Sequence, residues 1–279
     1  MTTTSATHEG KGGWQLESDS AEAYERYLVP ALMAAGAQRL VELASPRPGD
    51  RVLDVGCGTG IVARTAALAV GAQGKVVGID LNEGMLRVAK RAAAGLVPPI
   101  EWRQGDATSL PFPDAAFDVV TTQQMLQFVP DPERAVCEMH RVLAPRGRLA
   151  ISVCRPIEHA VGYVPLAAGL RRHAGPEAEA MMRSPFPAWS VEKLRQIVAA
   201  GGFDAITIRI EVMSIRYPSA TEFVRREAAC SPLAGPIGSL AVLARTALVD
   251  ELARELRAHT DDLGIALPLE VYVVLAERR

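Results

Sequence analysis

A strand pattern that leads into a glycine-rich turn and then into a helix constrains the fold of this chain more than any other feature. Residues 52–55 are mainly apolar and precede the turn Gly-Cys-Gly-Thr-Gly at 56–60. Apolar residues then recur at helical spacing over 61–70, and 75–80 again has an apolar strand pattern. Two strands joined through a helix in this way predict a βαβ unit with a right-handed crossover.

The alternation of strand and helix patterns continues along the chain. Helical patterns cover 83–94 and 132–144, and strand patterns cover 100–104, 117–121 and 148–153. Two late strand patterns, at 206–212 and 269–275, bring the number of strands to seven. We therefore predict an α/β fold with a doubly wound, mostly parallel sheet of seven strands.

Composition and charge argue against several classes of partner. The 30 Lys and Arg residues nearly balance 32 Asp and Glu residues, and no lysine-rich run could follow a phosphate backbone, so we expect no nucleic-acid partner. No window offers the ~18 uninterrupted apolar residues of a membrane span, so we expect a soluble, cytoplasmic protein. The cysteines lack the spacing of a metal or redox site, and no metal is expected. They are Cys57, Cys137, Cys154 and Cys230.

The ends of the predicted strands hold the strongest candidates for a ligand site, because open parallel sheets bind ligands beyond their carboxyl ends. The glycines of 56–60 let the backbone approach a ligand closely, and the helix start that follows offers free N–H groups. Asp80 closes the second strand, where a carboxylate can accept hydrogen bonds from both hydroxyls of a ribose. Asp106 closes the third, within reach of an adenine amine. Ile61 stands where a dinucleotide fingerprint has a small residue, which disfavours NAD or flavin.

Four segments together resemble the successive motifs of class I S-adenosylmethionine-dependent methyltransferases. They are Val52-Leu-Asp-Val-Gly-Cys-Gly-Thr-Gly60, Val77-Gly-Ile-Asp80, Gly105-Asp-Ala107 and Phe117-Asp-Val119. The stretch Arg141-Val-Leu-Ala-Pro-Arg-Gly-Arg-Leu149 also resembles the turn before the fifth strand in the ubiquinone/menaquinone C-methyltransferase-like branch. The resemblance covers about residues 35–153 and implies a Rossmann-like methyltransferase fold with S-adenosyl-L-methionine as the cofactor.

The same resemblance implies a role for each residue of the cofactor site. The turn 56–60 would hold the methionine part, Asp80 the ribose and Asp106 the adenine, while Leu81 and Met85 would flank the base. Gln123 would close the site after the fourth strand. The full set of expected cofactor residues is Asp54, Gly56, Cys57, Gly58, Thr59, Gly60, Asp80, Leu81, Met85, Gly105, Asp106, Ala107 and Gln123.

The chain divides by pattern into four parts. These are a disordered N-terminus at 1–14, a cofactor-binding core with N-terminal helices at 15–154, a cap segment at 155–189, and the C-terminal part of the sheet at 190–279. Pro30 is expected to split the helical pattern of 21–44 into two helices. The proline-rich cap segment and a helical insertion at about 219–259 are expected to cover the site as helical cap insertions.

The methyl acceptor is expected to lie against side chains from these caps and from the first helix, although core packing explains the same side chains equally well. The candidates are Tyr24, Tyr27, Gln127, Met181, Met182, Phe186 and Trp189. For a phenol or enol acceptor, the candidates for a general base are His140, His159 and His173, each of which packing also explains. The branch often has a histidine after strand four where this chain has Gln127, so no general base is carried over from the resemblance.

These observations predict the transfer of a methyl group from S-adenosylmethionine to a small, apolar metabolite at carbon or oxygen. The segment after strand four, Thr121-Thr-Gln-Gln124, lacks the Asn/Asp-Pro-Pro-aromatic loop that is frequent in methyltransferases acting on nitrogen. Two alternatives stay open: a non-catalytic protein that binds S-adenosylmethionine, and a dinucleotide-dependent oxidoreductase, which Ile61 disfavours. The sequence is compatible with a monomer or a homodimer.

Overall fold

Five parallel strands and an antiparallel pair form the central sheet of the computed structural model, which describes residues 18–279. The strand order is β3-β2-β1-β4-β5-β8-β6, and β7 pairs with β8. The strands are β1 (Arg51–Val55), β2 (Lys75–Asp80), β3 (Ile100–Gln104), β4 (Phe117–Gln123), β5 (Leu143–Cys154), β6 (Ile206–Tyr217), β7 (Thr260–Asp261) and β8 (Gly264–Glu277). The predicted fold class is confirmed, with one difference: the two-residue β7 makes eight strands in the described part of the chain.

Helices flank this sheet and cover one of its edges. They are α1 (Ser18–Ala23), a π-helical segment (Tyr24–Met33), α2 (Ala34–Ala44), α3 (Ile61–Val70), α4 (Glu83–Ala92), α5 (Pro132–Val142), α6 (Tyr163–Ala174), α7 (Pro176–Arg183), α8 (Val191–Ala200), α9 (Ala220–Ala229), α10 (Ala234–Gly238) and α11 (Val242–Glu255). The proline-rich cap segment 155–189 contains α6 and α7. The predicted insertion at about 219–259 contains α9, α10 and α11.

Pro30 does not break the N-terminal helix as the sequence suggested. The chain is helical from Ser18 to Ala44, and the turn around Pro30 widens to the π form, in which the N–H of Ala34 donates to the carbonyl of Val29. The wider turn suits proline, which lacks an N–H and whose ring clashes with the carbonyl four residues earlier in an α-helix. The expected disordered stretch at 1–14 lies outside the described residues.

Both faces of the parallel strands β1, β2, β4 and β5 are largely buried, as βαβ crossovers require, whereas the edge strand β3 is mostly exposed. In β1, Val52 packs into a cluster with α2 and α3, whereas Leu53 packs into a second cluster with α5 and α8. The caps α6, α7, α9 and α11 extend the first cluster. The helices do not fill the space beyond the carboxyl ends of these strands, where a ligand could bind. Within residues 18–279, no helix is both long and apolar enough to cross a membrane.

Candidate active site

A cavity of about 380 Å³ lies at the carboxyl ends of β1, β2 and β4. The strand ends contribute Val55, Ile79 and Gln123 to its wall, and the π-helical segment contributes Tyr24 and Leu28. Its size is in the range of small-molecule sites, and its position is the one at which open parallel sheets bind ligands.

The turn 56–60 has a backbone that glycine adopts readily and other residues do not. The φ angles of Gly56, Gly58 and Gly60 are 66°, 54° and 85°. A Cβ atom on Gly56 would lie 2.1 Å from the Cγ of Met125, and one on Gly60 would lie 2.3 Å from the ring of Trp102. Both the backbone and the space therefore require glycine at these two positions.

Asp80 connects this turn to the end of the neighbouring strand. Its Oδ2 accepts a hydrogen bond from the N–H of Gly58 at 2.8 Å, and its Oδ1 accepts one from the N–H of Asn82 at 2.8 Å. Burial raises the pKa of this carboxyl, against the opposing effect of the backbone donors. Because Asp80 also lines the cavity, one side chain both fixes the turn and faces a ligand.

Two further aspartates line the cavity in different surroundings. Asp54 is buried, and it accepts hydrogen bonds from the N–H of Ala63 at 3.1 Å and from the hydroxyl of Thr121 at 3.2 Å. Burial raises the pKa of Asp54 to about 7. Asp106 is exposed, and its Oδ1 accepts from both the N–H and the hydroxyl of Thr108 at 2.8 Å. Asp54 thus ties β1 to α3, whereas Asp106 shapes the loop after β3.

The stretch that builds this edge of the sheet is a known domain. Residues 53–151 match the family model described as a methyltransferase domain. Residues 53–151 thus form a methyltransferase domain. The match includes the turn 56–60, Asp80 and Asp106, so the resemblance that the sequence suggested is confirmed.

Curated relatives of this methyltransferase domain include quinone methyltransferases. The chain is 41% identical over 131 residues to the ubiquinone/menaquinone biosynthesis C-methyltransferase of Teredinibacter turnerae, which covers 44% of this chain and 53% of that protein. It is 43% identical over 115 residues to a 2-phytyl-1,4-naphtoquinone methyltransferase of Synechococcus elongatus, which covers 40% of this chain and 48% of that protein. The chain thus spans about half the length of these relatives.

Solved structures share the fold across most of the chain. The YcgJ protein of Bacillus subtilis has a TM-score of 0.59 and 21% identity, with 88% of this chain and 99% of that chain covered. The [4+2]-cyclase SpnF has a TM-score of 0.54 and 24% identity, with 96% and 87% covered. At these identities the likeness extends to the fold and not to the chemistry.

The residues around the cavity fit S-adenosylmethionine. The hydroxyl of Thr59 is buried and has no hydrogen-bond partner among the described residues, as expected of a group that awaits a polar ligand. Asp80 offers a carboxylate for ribose hydroxyls, and Leu81 and Met85 offer apolar surface for a base. All thirteen expected cofactor residues line the cavity except Gly60, which instead precedes the first residue of α3.

Several expected acceptor residues lie in the same cavity. Tyr24, Gln127, Met182 and Phe186 line it. The Nε2 of Gln127 donates to the Oε1 of Gln124 at 3.0 Å, while its buried Oε1 has no partner among the described residues. Gln127 therefore has an acceptor oxygen available for a second ligand beside the cofactor.

The structure does not bring the other three acceptor candidates to the cavity. Tyr27 packs against guanidinium groups of α9 instead, with the Cζ of Arg225 4.7 Å and that of Arg226 5.5 Å from its ring centre. Trp189 packs on the buried cluster beside α5 and α8, and Met181 packs on the opposite cluster. Residue type suggested these positions, but the direction of the side chain on its helix decides the contact.

The three candidate histidines, all described, also lie outside the cavity wall. His140 contacts the ring of Phe203 edge-on at 4.8 Å. His159 lies 3.1 Å from a guanidinium nitrogen of Arg155, and the Nε2 of His173 lies 3.2 Å from Glu251. Packing and surface pairing thus account for all three.

Replacing His140, His159 or His173 singly by alanine is expected to leave turnover within about tenfold of the wild-type rate, because alignment of the reactants supplies most of the acceleration. Initial rates with S-adenosylmethionine labelled in its methyl group measure this, with Asp80→Ala assayed beside them as the damaged reference. Complete loss of turnover in a variant that still melts cooperatively would instead give that histidine a chemical role.

Among the cavity-wall residues that sequence reasoning missed are Tyr163 and Glu227, which contact each other. Both are buried, and the tyrosine hydroxyl donates to the carboxylate at 3.0 Å. Glu227 lies on α9 among several other charged residues, in a sequence that resembles a solvated helix face. The only signal in the sequence for a buried polar site was that helical periodicity places the Glu227 carboxylate on the apolar face of α9.

Proposed function

We propose that the protein transfers a methyl group from S-adenosylmethionine to a small, apolar metabolite at oxygen or carbon. The observation that carries this proposal is the composition of one cavity wall. Residues 56–59 of the turn and Asp80 line the same space as apolar side chains from the caps, including Met182 and Phe186. A cofactor site that continues into an apolar chamber suits two molecules that react side by side.

The residues of the chain would bind, align and shield the reactants. When bound, the cofactor supplies a methyl group on positively charged sulfur, which is intrinsically reactive toward nucleophiles. Asp80 and the turn 56–60 would hold the cofactor, while Leu28 and Met182, both buried, would exclude water from the other side. Holding the two reactants in line converts a bimolecular encounter into an effectively unimolecular step.

The charge of the cavity supports an acceptor without phosphate or carboxylate groups. Among the described residues of the wall, four are acidic and none is Lys, Arg or His. The acidic ones are Asp54, Asp80, Asp106 and Glu227. Such a wall attracts a sulfonium and repels anions, since like charges brought together in an enclosed site are costly. The names of the curated relatives, which refer to quinones, also favour an apolar ring as the acceptor.

Two other functions fit the fold less well. A dinucleotide-dependent oxidoreductase would need a small residue where Ile61 contributes its side chain to the cavity wall. A protein that only binds S-adenosylmethionine would not need the chamber formed by the caps. Because solved structures with this fold include a [4+2]-cyclase, turnover is the deciding observation.

Incubation with S-adenosylmethionine labelled in its methyl group and an extract of the protein's own cells tests the proposal. We expect mass spectrometry to find the label in an apolar small molecule, and Asp80→Ala to reduce its yield. A protein that binds S-adenosylmethionine but labels no compound in any fraction would be a binding protein, contrary to the proposal.

Replacing Phe186 by alanine is expected to weaken acceptor binding about tenfold, because the chamber loses an apolar side chain worth roughly 1 to 3 kcal/mol. Cofactor affinity should change little. Trp189→Ala is the matched control, since Trp189 lies three residues away but packs on the core instead of lining the cavity. It should lower the melting temperature and leave both affinities nearly intact. If the two variants weakened acceptor binding equally, Phe186 would not differ from Trp189 in lining the chamber, contrary to the proposal.

A further inference from the structure

Glu227 is a buried carboxylate held on one side only. Its side chain lines the cavity, and the residue is 4% exposed. The hydroxyl of Tyr217 donates to its Oε1 at 2.8 Å, and that of Tyr163 donates to the same oxygen at 3.0 Å. No described residue donates to Oε2, which leaves one carboxylate oxygen for a group in the cavity.

No cation in the described part of the chain neutralises this carboxylate. Its sequence neighbour Arg226 pairs with Glu222 at 3.0 Å instead. A buried carboxylate without a cationic partner is costly, so the site favours a bound group that donates a proton or a hydrogen bond to it. Tyr163 and Tyr217 hold the carboxylate in place without removing its charge.

The other polar groups of the cavity are less suited to accept a proton. Both oxygens of Asp54 accept hydrogen bonds from the chain, and Asp80, which accepts from two backbone N–H groups, is assigned to the ribose of the cofactor. The thiol of Cys154 also lines the cavity, but burial raises its pKa to about 12, so it is not a base at neutral pH. Glu227 is the buried acidic residue of the wall that has a carboxylate oxygen, Oε2, without a donor among the described residues.

We propose that Glu227 is the proton acceptor of the reaction, and that the methyl acceptor is therefore a phenol or an enol whose hydroxyl contacts Glu227. The inference rests on the proposed methyl transfer and names its substrate class. For a phenol, the hydroxyl proton passes to Oε2 as an oxygen lone pair forms the new C–O bond. The S–C bond breaks, its electron pair stays on sulfur to give S-adenosylhomocysteine, and Glu227 later returns the proton to water.

The acidity of Glu227 suits this role. Burial raises its pKa to about 7, so the carboxylate is partly ionised near neutral pH and can both take and release a proton. The pKa values of Tyr163 and Tyr217 are raised well above their usual range, so both stay neutral donors. The other titratable groups that line the cavity are Tyr24, Asp54, Cys57, Asp80, Asp106 and Cys154, and the nearby thiol of Cys230 interacts electrostatically with Glu227.

Binding of phenol and of anisole, measured by calorimetry with S-adenosylhomocysteine present, tests the contact without turnover. Anisole has the same ring but no hydroxyl proton to donate. Wild type should bind phenol roughly tenfold or more tighter than anisole above about pH 7, as expected for a hydrogen bond to a charged group. Glu227→Gln should bind both about equally, because the amide can accept from both tyrosines but offers its NH2 group to either probe. Glu222→Gln, the same change five residues earlier on α9, should behave as wild type.

Equal binding of phenol and anisole by wild type would overturn the assignment of Glu227, whether or not an acceptor has been found. The absence of any labelled product in cell extract would instead contradict the proposed function itself. The two failures are therefore distinguishable.

With the acceptor identified, the pH profile tests the proton transfer. Wild-type kcat/KM should rise with pH and level off above about 7 as Glu227 ionises. Glu227→Gln should lower kcat by a factor of about 10² to 10⁴ and flatten the profile, with cofactor affinity unchanged. Tyr217→Phe, which keeps the carboxylate but removes a donor that stabilises its charge, should move the rise to higher pH. A Glu227→Gln variant with wild-type kcat, or with an unchanged profile, would refute the role.

Discussion

Replacing Asp80 by alanine is expected to weaken the binding of S-adenosylmethionine about ten- to a hundredfold. The change removes the carboxylate assigned to the ribose hydroxyls, and loss of hydrogen bonds to a charged group costs roughly 1.5 to 3 kcal/mol. It also removes the acceptor of the hydrogen bond that the N–H of Gly58 donates to Asp80 at 2.8 Å. The turn 56–60 therefore loses a bond that fixes its backbone. Both losses act on the cofactor and neither acts directly on the acceptor chamber.

Asp106→Ala is the matched control for this prediction. Asp106 also lines the cavity, but it is exposed, and a hydrogen bond to an exposed carboxylate competes with water. Its replacement should weaken binding less than that of Asp80. Calorimetric titration of both variants with S-adenosylmethionine, after a check for cooperative melting, measures the difference. Wild-type affinity in Asp80→Ala would show that the assignment at the end of β2 is wrong.

Replacing Glu227 by glutamine is expected to stabilise the protein, relative to wild type, increasingly as the pH rises from about 4.5 to above 7. Burial raises the pKa of Glu227 from the ordinary 4.5 to about 7. Between these values the folded state keeps a proton that the unfolded state has released, so the free energy of unfolding falls as pH rises. The contribution of protonated Glu227 to the stability of the folded wild type is complete below about pH 4.5 and lost above about pH 7. The difference between the two pKa values corresponds to about 3 kcal/mol in the free energy of unfolding. The glutamine variant lacks this pH dependence because its amide does not titrate.

Glu222→Gln provides a control of opposite sign on the same helix. Hydrogen bonds from Arg225 and then Arg226 lower the pKa of Glu222 to about 2, so its contribution is lost only as pH falls below about 4.5. Urea unfolding of wild type and both variants between about pH 4.5 and pH 8 separates the cases. The stability difference between wild type and Glu227→Gln should change over this range, whereas that for Glu222→Gln should stay level. A stability difference between wild type and Glu227→Gln that does not change with pH would show that the Glu227 carboxyl has an ordinary pKa.

The cofactor half of the site could be predicted because its signals are local in sequence. The turn 56–60, Asp80 and Asp106 each follow directly from a strand, and parallel strands bring their carboxyl ends to one edge. Residue type and distance along the chain were enough to find them. The hydrogen bond from Gly58 to Asp80 was not predictable, because it depends on the angle at which the turn leaves β1.

The acceptor half could be predicted only in part, because it depends on how the caps pack. Phe186 and Trp189 are close in sequence and similar in character, yet one lines the cavity and the other packs on the core. Glu227 lies in a charged helix, and only its contact with tyrosines from α6 and β6 reveals a buried polar site. Such long-range contacts leave little trace in a single sequence.

Titration of the wild-type protein with S-adenosylmethionine, S-adenosylhomocysteine and NAD, by calorimetry, tests the central claim that this cavity is built for a methyl donor. We expect both S-adenosyl compounds to bind with dissociation constants of about 1 to 100 μM, equivalent to roughly 5 to 8 kcal/mol. NAD should give no measurable heat of binding, because Ile61 stands where the dinucleotide fingerprint has a small residue for close packing of the helix on the strand. Binding of NAD without binding of S-adenosylmethionine would contradict the account.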